Sequence, residues 1–598
     1  MLETQIRRVP DRPRCFQGLP LSLFILATVV HHSCAAVWAN AGFVSGHTQN
    51  GNKLGHTIKL GHSTKLGHGF KLGHNFKLGH GFKFGHFPSP PNPNPNPNPN
   101  PNPNPNPTPH GPPENVKSDG AKGDGSTDDT KAINAAIQKS QASGSYAIYF
   151  PAGTYLVSDQ LALGTVSAVG DGNTSVIEVA DLTKPAVFSV TGSAAVSNLL
   201  ITTKPINVNP GALTLAGILV QNTGGPVTIS GVTIAGNFGF DIELINASNC
   251  TITKCSLLNT GYGKAVVYVA GAALNSNGVS NNNVISGNVF PQSGNGYTSS
   301  APSCIYTYAQ SASATITGLF ITGNTFNAQS SQIIYLWGGR NIQVANNLFD
   351  LTALGTHLAS SPNAVYAQGS DLDFIWTLNG LLISGNTING PSGWVGDTIA
   401  DSASIVVSGL SVSGNAVVQN VQIVNNSITH AQNTVSIPGV GGYTSSLGSG
   451  ISTHGAAASI ANVIIQGNTL SNMTYYGVEL DGVNGAAVQS NTVTDSQGEA
   501  FEIGTKCRAA ISILNNQMGQ IGTANGFLKQ VFAQLGFTPK AAIDVQASGA
   551  SVNPLQITGN NMTGNANSLS YFWYSSVPLS QSNISGNTDP NALLPSVP

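Results

Sequence analysis

The stretch IIQGNTL (464–470) recurs 23 residues later as AVQSNTV (487–493). Each copy holds a β-branched residue, a polar residue, a small residue, an asparagine, and then a small and an apolar residue. The same pattern recurs along the chain, with its asparagine at Asn237, Asn288, Asn324, Asn347, Asn386, Asn426, Asn468, Asn491, Asn516, Asn560 and Asn587. Intervals of 23 to 25 residues fit one coil of a stacked solenoid, and longer intervals fit two coils or one coil with a loop. We therefore expect the asparagines to bond to one another between coils.

A β-propeller is the main alternative architecture for a repeating chain of this kind. It is not supported, because no four-strand blade period of about 40–45 residues with its own signature is found. The 69 glycines, with abundant Asn, Ser and Thr, also favour many short strands and turns over helices.

A different pattern begins the repeating region. DGAKGDGSTDDTKAINAAI (119–137) combines a turn-rich start with apolar residues at helical spacing, and the strand-like YFPAGTYLV (149–157) follows. Asp128 and Asp129 precede this helix, where carboxylates satisfy free N–H groups. This segment resembles the N-terminal cap of pectate-lyase-like, polygalacturonase-related proteins. The resemblance implies an all-β fold, a single-stranded right-handed parallel β-helix with a short N-terminal capping helix. That cap is structural, so the resemblance leaves the activity open.

The composition divides the chain into four parts. Residues 1–41 have the features of a signal peptide, with four arginines before the apolar run LPLSLFILATVV (19–30) and a small-residue site at 39–41. Residues 42–87 form a tail with a His/Lys/Gly hexapeptide repeat, and residues 88–112 form a Pro-Asn linker that favours an extended polyproline strut. Residues 113–598 form the β-helix domain. We expect a secreted protein that is extracellular or bound to the cell surface.

The numbers of basic and acidic residues indicate which class of partner the protein can bind. Only 8% of the residues are charged, and residues 112–598 carry 13 Lys and Arg against 23 Asp and Glu. A nucleic-acid partner is not expected, because phosphates are neutralised by Lys and Arg.

The tail repeat spaces six histidines evenly: His56, His62, His68, His74, His80 and His86. In an extended chain an offset of six returns each side chain to the same face. Imidazoles in a row can bind Zn²⁺, Ni²⁺ or Cu²⁺. Alternatively, the tail is a basic spacer that contacts the cell wall or a membrane surface.

The coil register predicts which residues share a face. Counted from the repeating asparagines, GVELD (477–481) aligns with IIYLW (333–337). By similarity of sequence it also aligns with CIYTY (304–308), GISTH (450–454) and AFEIG (500–504). Strand alternation sends the third and fifth residue of each block outward. One predicted column holds Tyr306, Tyr335, Ser452, Glu479 and Glu502, and its neighbour holds Tyr308, Trp337, His454 and Asp481.

These columns suggest a site for a carbohydrate. Tyr306, Tyr308, Tyr335 and Trp337 offer flat apolar faces to sugar rings. Glu479 and Glu502, on adjacent coils ~4.8 Å apart, would differ in pKa and supply an acid and a base. Asp481 with Glu502 offers a longer pair, and His454 completes the predicted catalytic set.

Three functions remain open for this face. A polysaccharide hydrolase would use the carboxylates alone and requires no cofactor. A polysaccharide lyase would hold Ca²⁺ against a uronate, with Lys506 or Arg508 as the base. A non-catalytic adhesin would bind a surface glycan with the same residues. All three predict a polysaccharide or surface glycan as partner.

The tail gives a prediction of its own. The protein should take up Zn²⁺ or Ni²⁺ near pH 7.5 and release it near pH 5, because imidazole protonates between these values. Equilibrium dialysis of the full chain and of a variant lacking residues 47–87 measures this uptake. Equal metal content in both proteins at pH 7.5 would leave only the spacer interpretation.

Overall fold

The computed structural model describes most of the chain after the linker. The described residues are 111–204, 214–259, 265–271, 278–291, 303–308, 314–327, 332–352, 363–371, 377–390, 403–430, 435–437, 441–443, 448–523, 539–546, 552–563, 569–575, 583–589 and 594–596. The predicted signal peptide, the tail with its six histidines and almost all of the Pro-Asn linker lie outside this range, so the inferences about them stay predictions.

The described chain winds as a right-handed parallel β-helix, which confirms the predicted fold. One coil runs through Ile460–Gln466, Thr469–Ser471 and Val478–Leu480, and the next coil begins at Val483–Gln489. Equivalent strands pair in parallel, with Val463 opposite Ala486, 23 residues further on. The strands form two long sheets of 31 and 15 strands, and two short strands pair separately and antiparallel.

The 15-stranded sheet forms one face of the coils. Its strands are Leu161–Gly164, Ala186–Val190, Ala216–Thr223, Phe240–Ala247, Ala265–Ala270, Ser303–Tyr308, Gln332–Trp337, Asn363–Ser370, Ala403–Leu410, Ser449–Gly455, Val478–Leu480, Phe501–Ile503, Ala541–Val545, Tyr571–Ser575 and Leu594–Ser596.

The 31-stranded sheet forms the remaining faces. Its strands are Glu114–Asn115, Asp124–Asp128, Ala147–Phe150, Gly153–Val157, Ser167–Val179, Ala194–Thr203, Val227–Ser230, Thr233–Gly236, Cys250–Thr253, Ser256–Asn259, Gly278–Asn281, Val284–Ser286, Val289–Phe290, Ala314–Thr317, Phe320–Thr322, Thr325–Phe326, Gly339–Ala345, Leu348–Asp350, Leu378–Ser384, Thr387–Asn389, Val418–Val424, Ser427–Thr429, Ile460–Gln466, Thr469–Ser471, Val483–Gln489, Thr492–Ser496, Arg508–Leu514, Gln517–Ile521, Leu555–Thr558, Asn561–Met562 and Asn583–Ser585. The antiparallel pair is Val435–Ile437 with Gly441–Tyr443.

The core is a set of apolar stacks that run through the coils. Ile465 pairs with Val488, and Val478 pairs with Phe501 on the facing sheet. All four side chains are buried. Each such residue contributes about 1.5–3 kcal/mol relative to exposure, so every coil is stabilised mainly by its neighbours.

An asparagine ladder lines one corner of the coils. The main-chain N–H and the side-chain Nδ2 of Asn468 both donate to Oδ1 of Asn491, at 2.9 and 3.0 Å. Nδ2 of Asn468 also donates to the Ile423 carbonyl oxygen, at 2.8 Å. This arrangement repeats from Asn288 to Asn587, which confirms the predicted bonding between coils.

The first predicted member of the ladder, Asn237, was assigned wrongly. It follows the strand Thr233–Gly236, whereas the ladder residues precede that position in the coil. Val232 and then Cys255 occupy the ladder corner in the first coils, and the Cys255 N–H donates to Asn288 Oδ1 at 2.9 Å. The motif at Asn237 therefore matches the pattern at a different corner.

The corner needs a left-handed residue directly before each asparagine. Gly467 has φ 66°, and Ser490 and Asn425 have φ 54° at the same place. Gly and Asn adopt this conformation at low cost, which explains the Gly-Asn and Asn-Asn pairs of the repeat.

A single helix packs at the N-terminal end of the described coils. It runs from Thr130 to Ser143 and buries Ile133, Ala136 and Ile137. Asp128 Oδ1 accepts the N–H of Thr130 at 3.0 Å, as predicted for a carboxylate at this end. The Asp129 carboxylate instead accepts main-chain N–H groups of the preceding turn, 122–123, at 2.7 and 3.0 Å.

Two further observations on the described residues concern membrane-spanning helices and cysteines. None of their helices has the length and apolar character needed to cross a bilayer. Cys250, Cys255, Cys304 and Cys507 are buried free thiols, and burial raises the pKa of Cys507 to about 12.

The asparagine ladder predicts that replacing a single asparagine lowers the free energy of unfolding. Asn468→Ala leaves the Asn426 N–H and amide without their acceptor, which lies 2.9 Å from each nitrogen. The free energy of unfolding should fall by about 1–3 kcal/mol or more, because buried donors would lose their partners. Urea denaturation followed by circular dichroism measures the change. The exposed Asn484→Ala serves as control and should shift it by under about 0.5 kcal/mol. Equal shifts in both variants would contradict a stabilising role for the ladder.

Candidate functional site

The predicted register of the 15-stranded sheet is correct for all five aligned blocks. Ile305 pairs with Ile334, Ile451 with Val478, and Val478 with Phe501. The third residue of each block therefore belongs to one outward column. Between Glu243 and Tyr574 this outward column contains Glu243, Tyr268, Tyr306, Tyr335, Tyr366, Val406, Ser452, Glu479, Glu502, Asp544 and Tyr574.

The C-terminal half of the column brings three carboxylates together on consecutive coils. Glu479 pairs with Glu502, and Glu502 pairs with Asp544, which the sequence analysis missed. Neighbouring strands lie ~4.8 Å apart, so each carboxylate has another within one coil. Ser452 Oγ donates to Glu479 Oε2 at 3.0 Å, and Gln546 Nε2 donates to Asp544 Oδ2 at 3.1 Å. Glu502 and Asp544 are each only 7% exposed, so this group is recessed. We call these three residues the carboxylate group.

Glu499 is a fourth acid at this place, and the sequence analysis did not select it. Its side chain is buried, and Oε1 accepts the Lys540 N–H at 3.1 Å. Oε2 has no hydrogen-bond partner among the residues that the structure describes. Burial raises the pKa of Glu499 well above its ordinary value, and the charges of Asp544 and Glu502 raise it further. Glu499 is therefore an acid beside the carboxylate group whose surroundings favour the protonated form.

Two tyrosines lie next to these acids. The rings of Tyr475 and Tyr476 are 4.0 Å apart between centroids, and the Tyr476 hydroxyl donates to that of Tyr475 at 3.3 Å. Burial raises the pKa of both hydroxyls, and the charges of Glu502 and Glu479 contribute to the shift. Both phenols stay protonated and can donate hydrogen bonds at the site.

Asp481 has different surroundings from Glu479. Its Oδ2 forms an ion pair with Lys506 Nζ at 3.0 Å, and its Oδ1 accepts the Lys506 N–H at 3.0 Å. Asp481 lies directly after the strand that carries Glu479, and its N–H donates to the Thr453 carbonyl oxygen at 2.9 Å. Both Asp481 oxygens thus bind the turn at Lys506.

The remaining predicted residues of this half are His454 and the two basic groups of the lyase hypothesis. His454 pairs with Ser408, and its Nε2 lies 3.4 Å from Ser408 Oγ. The Arg508 guanidinium donates to the carbonyl oxygens of Thr505 and Cys507 at 3.0 and 2.7 Å. Lys506 and Arg508 therefore both contact protein groups around their own turn.

The aromatic half of the column is more buried than predicted. Tyr335 is 8% exposed, because its ring packs against Tyr306, Tyr366 and Trp337 at centroid distances of 5.3, 5.1 and 5.5 Å. Tyr308 and Trp337 stand on the neighbouring column with centroids 5.3 Å apart, and both are half-buried.

Gln368 holds two of these aromatic side chains by hydrogen bonds. The Trp337 Nε1–H and the Tyr335 hydroxyl both donate to its Oε1, at 3.0 and 3.3 Å. The Trp337 and Tyr335 side chains thus share one acceptor on the sheet.

Metal binding was predicted for the tail, and Ca²⁺ for the lyase hypothesis. Among the described residues, no three His, Cys, Asp or Glu side chains form a metal-binding group. The six tail histidines lie outside that part of the chain.

The site therefore combines Glu499, whose pKa is raised by burial, with the three side chains of the carboxylate group. Acids in unlike surroundings are what general acid–base chemistry at a glycosidic bond requires.

Comparison with known families confirms the predicted resemblance over part of the chain. Residues 114–350 match the family described as rhamnogalacturonase A/epimerase, pectate lyase-like. The matched range includes the helix and the aromatic half of the column as far as Tyr335, and it ends before the carboxylate group.

Curated relatives are similar over a short segment. Over 44 residues the chain is 57% identical to alginate lyase 7 of Azotobacter vinelandii, which is 7% of this chain and 5% of that protein. The same identity and length hold for mannuronan C5-epimerase AlgE3 of this organism, at 7% of this chain and 2% of that protein. The chain thus spans only a few per cent of the curated relatives that it matches.

Among solved structures, the chain is similar to the tailspike protein of E. coli bacteriophage HK620, determined in complex with a pentasaccharide. The TM-score is 0.50 at 14% identity, over 79% of this chain and 78% of the tailspike chain. At this identity the similarity concerns the fold.

The protonated state of Glu499 predicts a pH effect on stability. Above the ordinary pKa of 4.5, the unfolded chain ionises Glu499 while the folded chain keeps it protonated. The folded state then binds more protons, so Glu499 lowers the free energy of unfolding as pH rises toward the folded pKa. The Glu499→Gln variant should not show this loss. The difference between its free energy of unfolding and that of the unaltered protein should therefore increase from pH 5 to pH 8, by at most about 1.4 kcal/mol per pH unit. Urea denaturation at several pH values measures it, and parallel pH curves for both proteins would contradict the assignment.

Proposed function

We propose that the protein is a secreted glycoside hydrolase that cleaves a polysaccharide lying along the outer face of the 15-stranded sheet. One observation carries this proposal: Glu479, Glu502 and Asp544 occupy consecutive positions of the outward column, beside the buried Glu499. The match to a carbohydrate-active family supports the general class. The reaction needs no cofactor in this proposal.

The spacing of the acids favours one pair. Glu479 and Glu502 are one coil apart, ~4.8 Å between strands, which is close to the ~5–5.5 Å between the carboxyl groups of retaining glycosidases. Glu479 and Asp544 are two coils apart, ~9.6 Å, which is at or beyond the long limit for inverting enzymes. We propose Glu479 and Glu502 as acid/base and nucleophile, so the product should keep its anomeric configuration.

The flanking residues have supporting roles in this proposal. Trp337 and Tyr308 hold the sugar chain several coils away from the cleaved bond, because their neighbouring rings are half-buried beside the same column and Trp337 is bound to Gln368. Asp481 positions the turn at Lys506. His454 lies on the neighbouring column, two residues after Ser452, and can form a hydrogen bond to a sugar hydroxyl.

The lyase alternative is less favoured by the contacts of its bases. Lys506 Nζ would have to leave its ion pair with Asp481, 3.0 Å away, before it could accept a proton. Arg508 contacts main-chain carbonyl oxygens and stays protonated in proteins. An adhesin would use the same face without turnover.

An activity screen distinguishes these functions. The panel includes alginate and rhamnogalacturonan, after the names of the similar proteins, together with neutral glucans, xylans and mannans, each with Ca²⁺ and with EDTA. New reducing ends indicate a hydrolase, absorbance from an unsaturated product indicates a lyase, and retention without turnover indicates an adhesin.

Variants test the assigned residues. Glu479→Gln and Glu502→Gln should each lower kcat by about 10²-fold or more, because each removes one member of an acid/base pair. Glu178→Gln, a carboxylate on the 31-stranded sheet, is the matched control and should keep full activity. Trp337→Ala should mainly raise KM for long substrates.

Circular dichroism of each variant separates loss of chemistry from loss of fold. Full activity of folded Glu479→Gln and Glu502→Gln would place the active site elsewhere.

A further inference from the structure

The cations of this chain are distributed very unevenly. Between residues 265 and 505 the sequence contains one basic residue, Arg340, and ten Asp and Glu. Arg340 lies in the strand Gly339–Ala345 of the 31-stranded sheet, away from the outward column. Because this count is taken from the full sequence, it covers every loop between these strands.

The outward column itself carries charge of one sign. Its ionisable side chains other than tyrosine are Glu243, Glu479, Glu502 and Asp544, all acidic. Apart from Arg340 on the other sheet, the sequence places no Lys or Arg in the five coils from Tyr306 to Ser452, so an anionic ligand on this part of the face would lack such a partner there.

The next cations of the sequence follow Glu502, and the structure describes three of them. Lys506 pairs with Asp481 at 3.0 Å. Lys540 places Nζ over the Tyr574 ring, 5.0 Å from its centroid, at the far end of the column. Arg508 donates to main-chain oxygens of its own turn.

We infer that this face binds a neutral glycan and discriminates against uronate polymers. The inference rests on the proposed function and names the substrate class for the same site. A uronate carboxylate ~5 Å from one carboxylate of the column would bind about fourfold more weakly for that contact alone in water, and two such contacts exceed tenfold. Recessed acids are screened less, so the discrimination should be stronger at Glu502 and Asp544.

Uncharged side chains of the outward column and beside it suit neutral sugars. Ser452, the Tyr475 and Tyr476 phenols and Gln368 bond to hydroxyl groups without regard to charge. The aromatic side chains of Tyr308 and Trp337 contact the apolar faces of sugar rings. This differs from the alginate polymers in the names of the curated relatives, which are uronates.

A matched pair of polymers tests the inference. Polygalacturonate and its carboxyl-reduced form share their linkages and differ at C6, where an uncharged hydroxymethyl group replaces the carboxylate; alginate with its carboxyl-reduced form gives a second pair. Affinity electrophoresis of the full-length protein measures retention at low and high salt, with EDTA and with Ca²⁺. Neutral glucans, xylans and mannans complete the panel. We expect each reduced polymer to bind at least tenfold tighter than its uronate parent at low salt, with a smaller ratio at high salt.

A charge-removing variant provides the internal control. In Glu502→Gln, the ratio of the affinity for each reduced polymer to the affinity for its uronate parent should fall by about fourfold, because one repulsive charge is lost. Glu178→Gln, on the other sheet, should leave the ratio unchanged.

The outcomes separate the two claims. Tighter binding of a uronate polymer in either buffer, or a ratio that Glu502→Gln does not change, overturns the neutral-glycan inference and leaves the hydrolase proposal standing. No retention and no turnover of any polymer, charged or neutral, overturns the proposed function and this inference with it.

Discussion

The hydrogen bonds between stacked asparagine side chains fix the geometry on which everything else depends. Each amide accepts two N–H groups from one neighbouring coil and donates to a main-chain oxygen, so the corner cannot slip by one residue without leaving buried donors unsatisfied. With the corner fixed, the strands on either side meet in register. The outward column is a consequence of that register. Glu479 and Glu502 lie side by side on adjacent coils because Asn468, Asn491 and Asn516 stack at the corner.

Much of this could be predicted from the sequence because two periods combine in it. Strand alternation gives the face of each residue, and the coil repeat gives its neighbour above and below. These two periods aligned Glu479 with Tyr335, and the similarity of the strand sequences added Tyr306, Ser452 and Glu502 to the same column, as the structure has them. The cap segment gave the family resemblance independently.

The misses have physical causes. Asp544 lies 16 residues before its ladder asparagine, whereas Glu479 lies 12 before its own, so counting from the corner fails where loops differ in length. Glu499 precedes its strand, where alternation says nothing about burial. The exposure of Tyr335 was overestimated because packing between aromatic side chains on adjacent coils depends on rotamers that a sequence pattern does not contain.

The left-handed residue before each ladder asparagine has a consequence for how such a protein can change. In each coil only two adjacent positions require a particular type of residue, a left-handed residue and the asparagine after it. Gly467 and Asn468 are one such pair. Loops elsewhere can then grow freely, as the intervals from 23 to 44 residues between consecutive ladder asparagines illustrate. Duplication or deletion of a whole turn would lengthen or shorten the binding face by one step of ~4.8 Å without turning any side chain from outside to inside. The length of the outward column can therefore vary in evolution while the chemistry of each position is retained.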